Sequence, residues 1–291
     1  MSAPVLMQRW DGARCVLTLN RPEQGNALSR ELVDALDVAL DDCARRHAER
    51  AIDCVVIQGA GRHFCTGFDL SGLADETDDS LLARFTRIEL LLQRVARAPF
   101  PTIAVAHGRV MGAGADLFAA CAQRLAVRGA SFAFPGARGF GLVLGSRRLA
   151  ARVGAARARG WIESACVIGA AEAATAGLAS ALVETAAEDV LALVTTPSAT
   201  PATTSATPAA TPAATPAATP TATPTATAVA TPSSIAGVAA SRDALLDGAI
   251  DGNAELDDAR DLAALVRSAA RAGLRQRVAD YVESQVRQRR A

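Results

Sequence analysis

The 291-residue chain contains no lysine, since all 30 of its basic residues are arginine. This absence excludes a Schiff-base lysine and the phosphate-binding lysine of a P-loop. The 30 acidic residues balance the arginines, so the formal net charge is zero. A balanced charge gives no indication of nucleic acid or of an anionic membrane as a partner. Apolar residues make up 50% of the chain, which is enough for a sizeable core.

The sequence also lacks cysteine motifs, and we expect neither a signal peptide nor a membrane span. The six cysteines show no C-x-x-C spacing, which argues against a zinc cluster and favours a reduced, cytoplasmic protein. The N-terminal stretch MSAPVLMQRWDGAR has no apolar segment, so we expect no secretory signal. The uncharged run 190–241 is rich in proline and threonine and cannot form a membrane helix. The nucleophile turn G-x-S-x-G of a serine hydrolase is absent.

Segments typical of strands alternate with segments typical of amphipathic helices, which predicts an α/β fold. Ser29 is the predicted N-cap of the first helix. Strands are predicted at 15–20, 51–61 and 101–110, and helices at 29–47, 80–98 and in a region reaching 170–184.

The composition changes sharply at residues 195–232, an Ala/Thr/Pro tract with a near-repeat of TPAA. Its prolines block a helix and its small side chains bury little area, so we predict an extended or disordered linker. This divides the chain into a core at 1–194, the linker at 195–232 and a C-terminal helical module at 233–291. Packing or oligomerisation is the favoured role of the module.

The stretch RVMGAGADLFAACAQ, residues 109–123, places two glycines where a predicted strand leads into a predicted helix. Such a turn suits a phosphate, a tight strand-to-helix connection, or backbone N–H groups that face a substrate oxygen. The spacing G-A-G-A-D does not match G-x-G-x-x-G, which argues against a dinucleotide site. Asp116 follows at once and is either a first-turn acid favoured by the helix dipole or a group that moves a proton.

Four segments, in order and at plausible spacing, resemble the enoyl-CoA hydratase/isomerase, or crotonase, family: LNRPEQGNALS, VVIQGAGRHFCTGFDLSGL, PTIAVAHGRVMGAGADLF and GAAEAATAGLASALVE. The resemblance covers about residues 12–185 and, more loosely, 232–285. It implies an α/β fold with a crotonase-like spiral of ββα units and C-terminal helices. It also implies trimers that often pair into hexamers, and an acyl-CoA thioester as ligand, with coenzyme A as part of the substrate and no separate cofactor or metal.

The family's common chemistry is a thioester enolate, whose oxygen needs fixed hydrogen-bond donors. By motif position, the resemblance implies that the backbone N–H groups of Phe68 and Ala113 form this oxyanion hole. Asp116 takes the place of the first of two hydratase glutamates. The residues implied to line the substrate are Asn26, Ala27, Leu28, Thr66, Gly67, Asp69, Leu70, Gly112 and Gly136.

The chain departs from the family pattern where hydratases carry their second glutamate, because Gly136 stands there and residues 131–160 contain no carboxylate. Isomerisation with Asp116 as base, decarboxylation and thioester hydrolysis are therefore alternatives to hydration. A catalytically weak CoA-thioester scaffold or oligomer partner is the alternative from another class. We interpret Arg138, Arg147 and Arg148 as solvated side chains rather than polar groups of the pocket, and Arg21 as a surface charge rather than a phosphate ligand.

Overall fold

The structure, a computed structural model, describes residues 3–184 and 254–290, and this part contains two β-sheets. The larger sheet has the strand order β1 (Leu6–Asp11), β2 (Arg14–Leu19), β3 (Cys54–Gly59), β4 (Thr102–Ala106), β6 (Gln123–Val127), β9 (Ala181–Val183). The smaller sheet has the order β5 (Arg109–Met111), β7 (Ser131–Ala133), β8 (Ile168–Gly169). The predicted linker 195–232 and the predicted boundaries beside it lie outside the described residues.

Helices connect and cover the strands. Those in the described ranges are α1 (Arg30–Ala48), α2 (Asp78–Ala96), α3 (Ala113–Ala120), α4 (Gly136–Phe140), α5 (Ser146–Val153), α6 (Ala155–Ser164), α7 (Ala170–Thr175), α8 (Ala254–Ala269) and α9 (Leu274–Arg290). The predicted α/β class is confirmed, and so is helical structure in the C-terminal part that is described. None of these helices combines enough length with enough apolar character to cross a membrane.

Strands β2, β3, β4, β6 and β9 run parallel, and β1 pairs antiparallel with β2. Parallel sheets are covered on both faces, which explains the uninterrupted burial of residues 54–57 in β3. The carboxyl ends of neighbouring parallel strands meet at one edge of a sheet, where ligands of α/β folds commonly bind. The loop that follows β3 at this edge contains Phe68, and Gly112 lies between β5, the short strand that comes after β4, and α3.

The two long helices begin at side-chain caps. The Ser29 hydroxyl accepts the Leu32 N–H at 3.2 Å, which confirms the predicted N-cap of α1. Helix α2 begins with a reciprocal capping box between Thr77 and Ser80. Both helices bury an apolar stripe at spacings of three and four residues, as the periodicity predicts. Helix α1 packs against β1 and β2, and α2 packs against α1, α3 and α8.

Two predicted elements are wrong in their extent. Residues 101–110 form two strands, β4 and β5, which belong to different sheets, because Gly108 turns the chain with a φ of +57°. The helix predicted up to residue 184 ends at Thr175, and β9 follows within the same stretch. Alanine-rich sequence favours a helix, but the pairing of β9 with β6 overrides that preference.

Helices α8 and α9 pack against α2 and against the loop that follows α4. Their shared apolar cluster contains Leu81, Phe85, Leu142, Leu265, Ala269, Leu274 and Val278, all buried. Asp78 at the start of α2 accepts the N–H groups of Leu274 and Arg275, at 3.1 and 2.7 Å, and so holds the first turn of α9. The C-terminal helices therefore form one wall of the region that contains Phe68.

Candidate active site

The loop after β3 lies directly against the chain that leads into α3. Met111 donates its N–H to the Cys65 carbonyl at 3.0 Å. Gly67 has a φ of +101°, and a Cβ at this position would lie 2.6 Å from the Met111 oxygen and 3.4 Å from the Ala113 nitrogen. Only glycine permits this approach. The structure thus brings the two segments predicted to carry the donors into contact.

The backbone N–H groups of Phe68 and Ala113 have no acceptor in the described part of the chain. Beside Phe68, Leu28 donates to the Gly67 carbonyl at 2.7 Å and Asp69 donates to the Leu28 carbonyl at 3.3 Å. The N–H of Phe68 takes part in neither hydrogen bond. Ala113 is the first residue of α3, where amides lack intrahelical partners and the helix dipole is positive. Two neighbouring donors are therefore available to an external oxygen.

The aromatic ring of Phe68 is held by two side chains of α2. It stacks on Phe85 of α2 with ring centroids 4.1 Å apart, and the Arg84 guanidinium lies 4.2 Å from its centroid. Arg84 is in turn held by Glu76 at 2.8 Å and donates to the Asp69 carbonyl at 2.7 Å. These contacts fix the backbone around the Phe68 amide.

The Asn26-Ala27-Leu28 segment is held by the buried side chain of Asn26. Its Oδ1 accepts the Arg21 N–H at 2.8 Å, and its Nδ2 donates to the carbonyls of Ala60 and His63 at 2.8 and 2.7 Å. The amide tolerates the φ of +56° at this position. Asn26 thereby ties the segment to the loop that contains Thr66 and Gly67.

Arg21 and Asp69 form a buried ion pair, with Nη1 and Oδ2 2.8 Å apart. Arg21 also donates to the Ala27 carbonyl at 2.6 Å, and Asp69 accepts the Ser71 N–H at 2.9 Å. Burial raises the pKa of Asp69, but the hydrogen bonds from Ser71 and Arg21 outweigh it and lower the pKa below the usual value. The interpretation of Arg21 as a solvated surface charge is wrong, because the residue holds this loop.

Asp116 lies one turn into α3 and is only 5% exposed. Its carboxyl group lies against Gly145, which precedes α5 with a φ of +65° and has no room for a Cβ on this side. Burial raises the pKa of Asp116 well above its usual value, Arg148 opposes this and Glu89 adds to it. The carboxyl accepts no hydrogen bond from the described residues, so it favours the protonated form.

Gly136 is the first residue of α4, and its segment lies beside the turn into α3. Pro135 Cδ is 4.0 Å from the position of a Cβ on Gly112. A Cβ on Gly136 would lie 3.3 Å from the Leu142 oxygen and 3.7 Å from Phe140 Cζ. The predicted lining residue Leu70 packs in the same apolar cluster as Phe140 and Leu142. A side chain at position 136 therefore needs only a small shift of its neighbours.

The interpretation of all three arginines after Gly136 as solvated is wrong for Arg148, which is 6% exposed. Its guanidinium pairs with Glu89 of α2 at 2.6 Å and with Asp261 of α8 at 3.0 Å. Arg147 is half-buried and also pairs with Asp261, at 2.9 Å, whereas Arg138 is exposed. Sequence reasoning did not single out Glu89. The feature of the sequence that could have identified Glu89 is a charged residue inside the apolar stripe of α2.

We expect Gly67→Ala to destabilise the fold more than Gly72→Ala does. Both glycines have positive φ, which costs an L-residue about 1–2 kcal/mol, but only the Cβ at 67 would collide with backbone, since nothing lies within 4 Å of a Cβ at 72. Equilibrium unfolding in denaturant measures both free energies. Equal losses would show that the contact between the two loops relaxes without cost.

Comparison with known proteins gives matches over this same region. The family model described as enoyl-CoA hydratase/isomerase matches residues 11–211. A Bacillus subtilis (strain 168) protein named "Probable enoyl-CoA hydratase" is 34% identical over 171 residues, which are 57% of this chain and 64% of that protein. "Probable enoyl-CoA hydratase echA6" of Mycobacterium leprae (strain TN) is 35% identical over 153 residues, which are 51% of this chain and 59% of that protein. The chain thus spans about 60% of the length of these relatives.

Solved structures give the same result. A Bordetella parapertussis structure that carries the enoyl-CoA hydratase/isomerase name has a TM-score of 0.73 at 35% identity, covering 96% of this chain and 99% of that one. The enoyl-CoA hydratase structure from Mycobacterium smegmatis has a TM-score of 0.59 at 30% identity, covering 62% of this chain and 71% of that one. The predicted crotonase-like fold is confirmed. The chain belongs to the enoyl-CoA hydratase/isomerase family.

Proposed function

We propose that the protein is an enzyme that binds an acyl-CoA or enoyl-CoA thioester and stabilises its enolate. The observation that carries the proposal is the pair of unpartnered N–H groups, Phe68 and Ala113, on two loops in contact at the start of a helix. Such donors are already oriented, so they stabilise developing negative charge without reorganisation. Their neighbours Asn26, Ala27, Leu28, Thr66, Gly67, Asp69, Leu70, Gly112 and Gly136 would line the thioester.

Asp116 would be the group that moves a proton at the α-carbon. Hydration in this family's manner needs a second carboxylate to align water, and Gly136 supplies none. The buried carboxyl favours donation of a proton over removal. Among the one-carboxyl reactions, decarboxylation suits such a group, because loss of carbon dioxide forms the enolate and an acid then protonates it.

A homotrimer or homohexamer and a cytoplasmic location remain predictions.

A panel of CoA thioesters tests this function. We expect slow or absent water addition to crotonyl-CoA, and turnover of another member: a 3-enoyl thioester by isomerisation, a malonyl-type thioester by decarboxylation, or a saturated thioester by hydrolysis. Absorbance of the conjugated double bond and product masses distinguish these reactions. Rapid hydration of crotonyl-CoA would show that an acid outside the usual position completes the site.

The second candidate is a CoA-thioester-binding scaffold with little catalysis. The glycine at position 136 favours this candidate, because it stands where a hydratase of the family carries its second carboxylate. Calorimetric titration with the same thioesters separates the two functions, because a scaffold binds them without turnover of any member. Turnover that disappears in Asp116→Ala would eliminate the scaffold, and binding without turnover across the panel would eliminate the enzyme.

A further inference from the structure

A buried ion pair joins α2 to α5, the two helices packed on α3, and the Asp116 carboxyl of α3 lies against Gly145, the residue that precedes α5. Glu89 of α2 is 0% exposed, and its Oε2 lies 2.6 Å from Nη2 of Arg148 in α5. Gln93 donates to the other Glu89 oxygen at 3.0 Å. Both oxygens of this buried carboxyl group therefore accept hydrogen bonds.

Arg148 is shared between two carboxylates. Its Nη1 lies 3.0 Å from Asp261 Oδ2 of α8, while its Nε is buried and has no acceptor in the described part of the chain. The positive charge is therefore compensated by Glu89 and Asp261. Asp116 receives no hydrogen bond from this guanidinium, although the charge of Arg148 acts to lower the pKa of Asp116.

The charges around Asp116 come from the elements packed on α3. Helix α2 contributes Glu89, and α5 contributes Arg148. The other arginine of α5 near α3, Arg152, binds the carbonyls of Ala119 and Cys121 at the far end of that helix. The only charged residue of β5, Arg109, is exposed. The tendency of Asp116 to ionise thus depends on how far the negative charge of Glu89 compensates the positive charge of Arg148.

We infer that the Glu89–Arg148 pair is a positioning element for Asp116. Glu89 compensates the positive charge of Arg148, so Asp116 stays a neutral acid that donates its proton. This rests on the proposed function and adds a direction of proton transfer. The Asp116 O–H bond breaks, and the electron pair of the enolate C=C forms the new bond between the proton and the α-carbon. The thioester carbonyl re-forms, and Asp116 is left as a carboxylate that solvent reprotonates.

Glu89→Gln tests this role, with Glu184→Gln as a matched control, since Glu184 forms an exposed pair with Arg128. The amide keeps the shape of Glu89 but leaves Arg148 with an uncompensated charge that favours ionised Asp116. Carbon-13 NMR of aspartate-labelled protein follows the titration, and Asp116→Asn identifies the resonance. We expect the Asp116 midpoint, and the fall of the turnover rate at rising pH, to move to lower pH in Glu89→Gln and not in Glu184→Gln.

Asp261→Asn provides a second variant if Glu89→Gln does not fold, because it removes the other partner of Arg148 near the surface. It should move the midpoint in the same direction by a smaller amount. An Asp116 midpoint that stays at its wild-type value in the folded variants would overturn the inference. A midpoint that moves in a protein without thioester turnover would support the positioning role and reject the proposed enzyme, so the two failures are distinguishable.

Discussion

Asp116→Asn should lower turnover of the CoA thioester by about 100-fold or more, the range lost with a positioned acid or base, and should leave thioester binding nearly unchanged. The substituted amide has the size of the carboxyl but cannot donate a proton as an acid. In the proposed function, binding depends on the amides of Phe68 and Ala113, which the substitution does not touch. Steady-state kinetics and calorimetric titration measure the two quantities separately.

The matched control for this variant is Asp41→Asn, which removes an exposed carboxylate of α1 that pairs with Arg94. Its turnover should equal that of the wild type. The Tm of Asp116→Asn should not fall, because a buried group that favours its neutral form already lacks the charge that the amide removes. Unchanged turnover in Asp116→Asn would mean that Asp116 is not the proton-moving group.

Gly136→Glu should create or strongly increase hydration of crotonyl-CoA, by about 100-fold if the new carboxylate acts as a general base. Position 136 lies beside the turn that begins α3, and a Cβ there would contact Leu142 and Phe140 at 3.3 and 3.7 Å. The neighbours need to move by only a few tenths of an ångström. A glutamate from this position would supply the second carboxylate that aligns water.

Gly136→Gln separates the carboxylate from the mere presence of a side chain. It has the same shape as the glutamate variant, and we expect no gain of hydration from it. Product masses with an added water, measured for both variants and the wild type, decide the result. Equal rates in the two variants would show that a carboxylate at 136 does not reach the substrate, and that the lack of hydration has another cause.

Local signals in the sequence predicted several elements correctly, and non-local pairing decided the rest. Ser29 was recognisable as an N-cap because capping depends on residues three positions apart. Residues 101–110 read as one strand because Thr102, Ile103, Val105 and Val110 are β-branched, but β5 pairs with β7 in a second sheet. The residues after Thr175 favour a helix by composition, yet Ala181–Val183 pair with β6 and form a strand. Short-range propensity carries no information about such partners.

The sequence by itself determined the family, the two glycine-containing loops and the single acid beside them, because these motifs are short and contiguous. Tertiary structure alone decided the surroundings of that acid. Glu89, Arg148 and Asp261 lie far apart in the chain, and a charged residue in a helix is solvated or buried depending on what packs against it. Their meeting beside Asp116 places its carboxyl group in a buried site without a counter-ion of its own, which favours the proposed role of Asp116 as a proton donor.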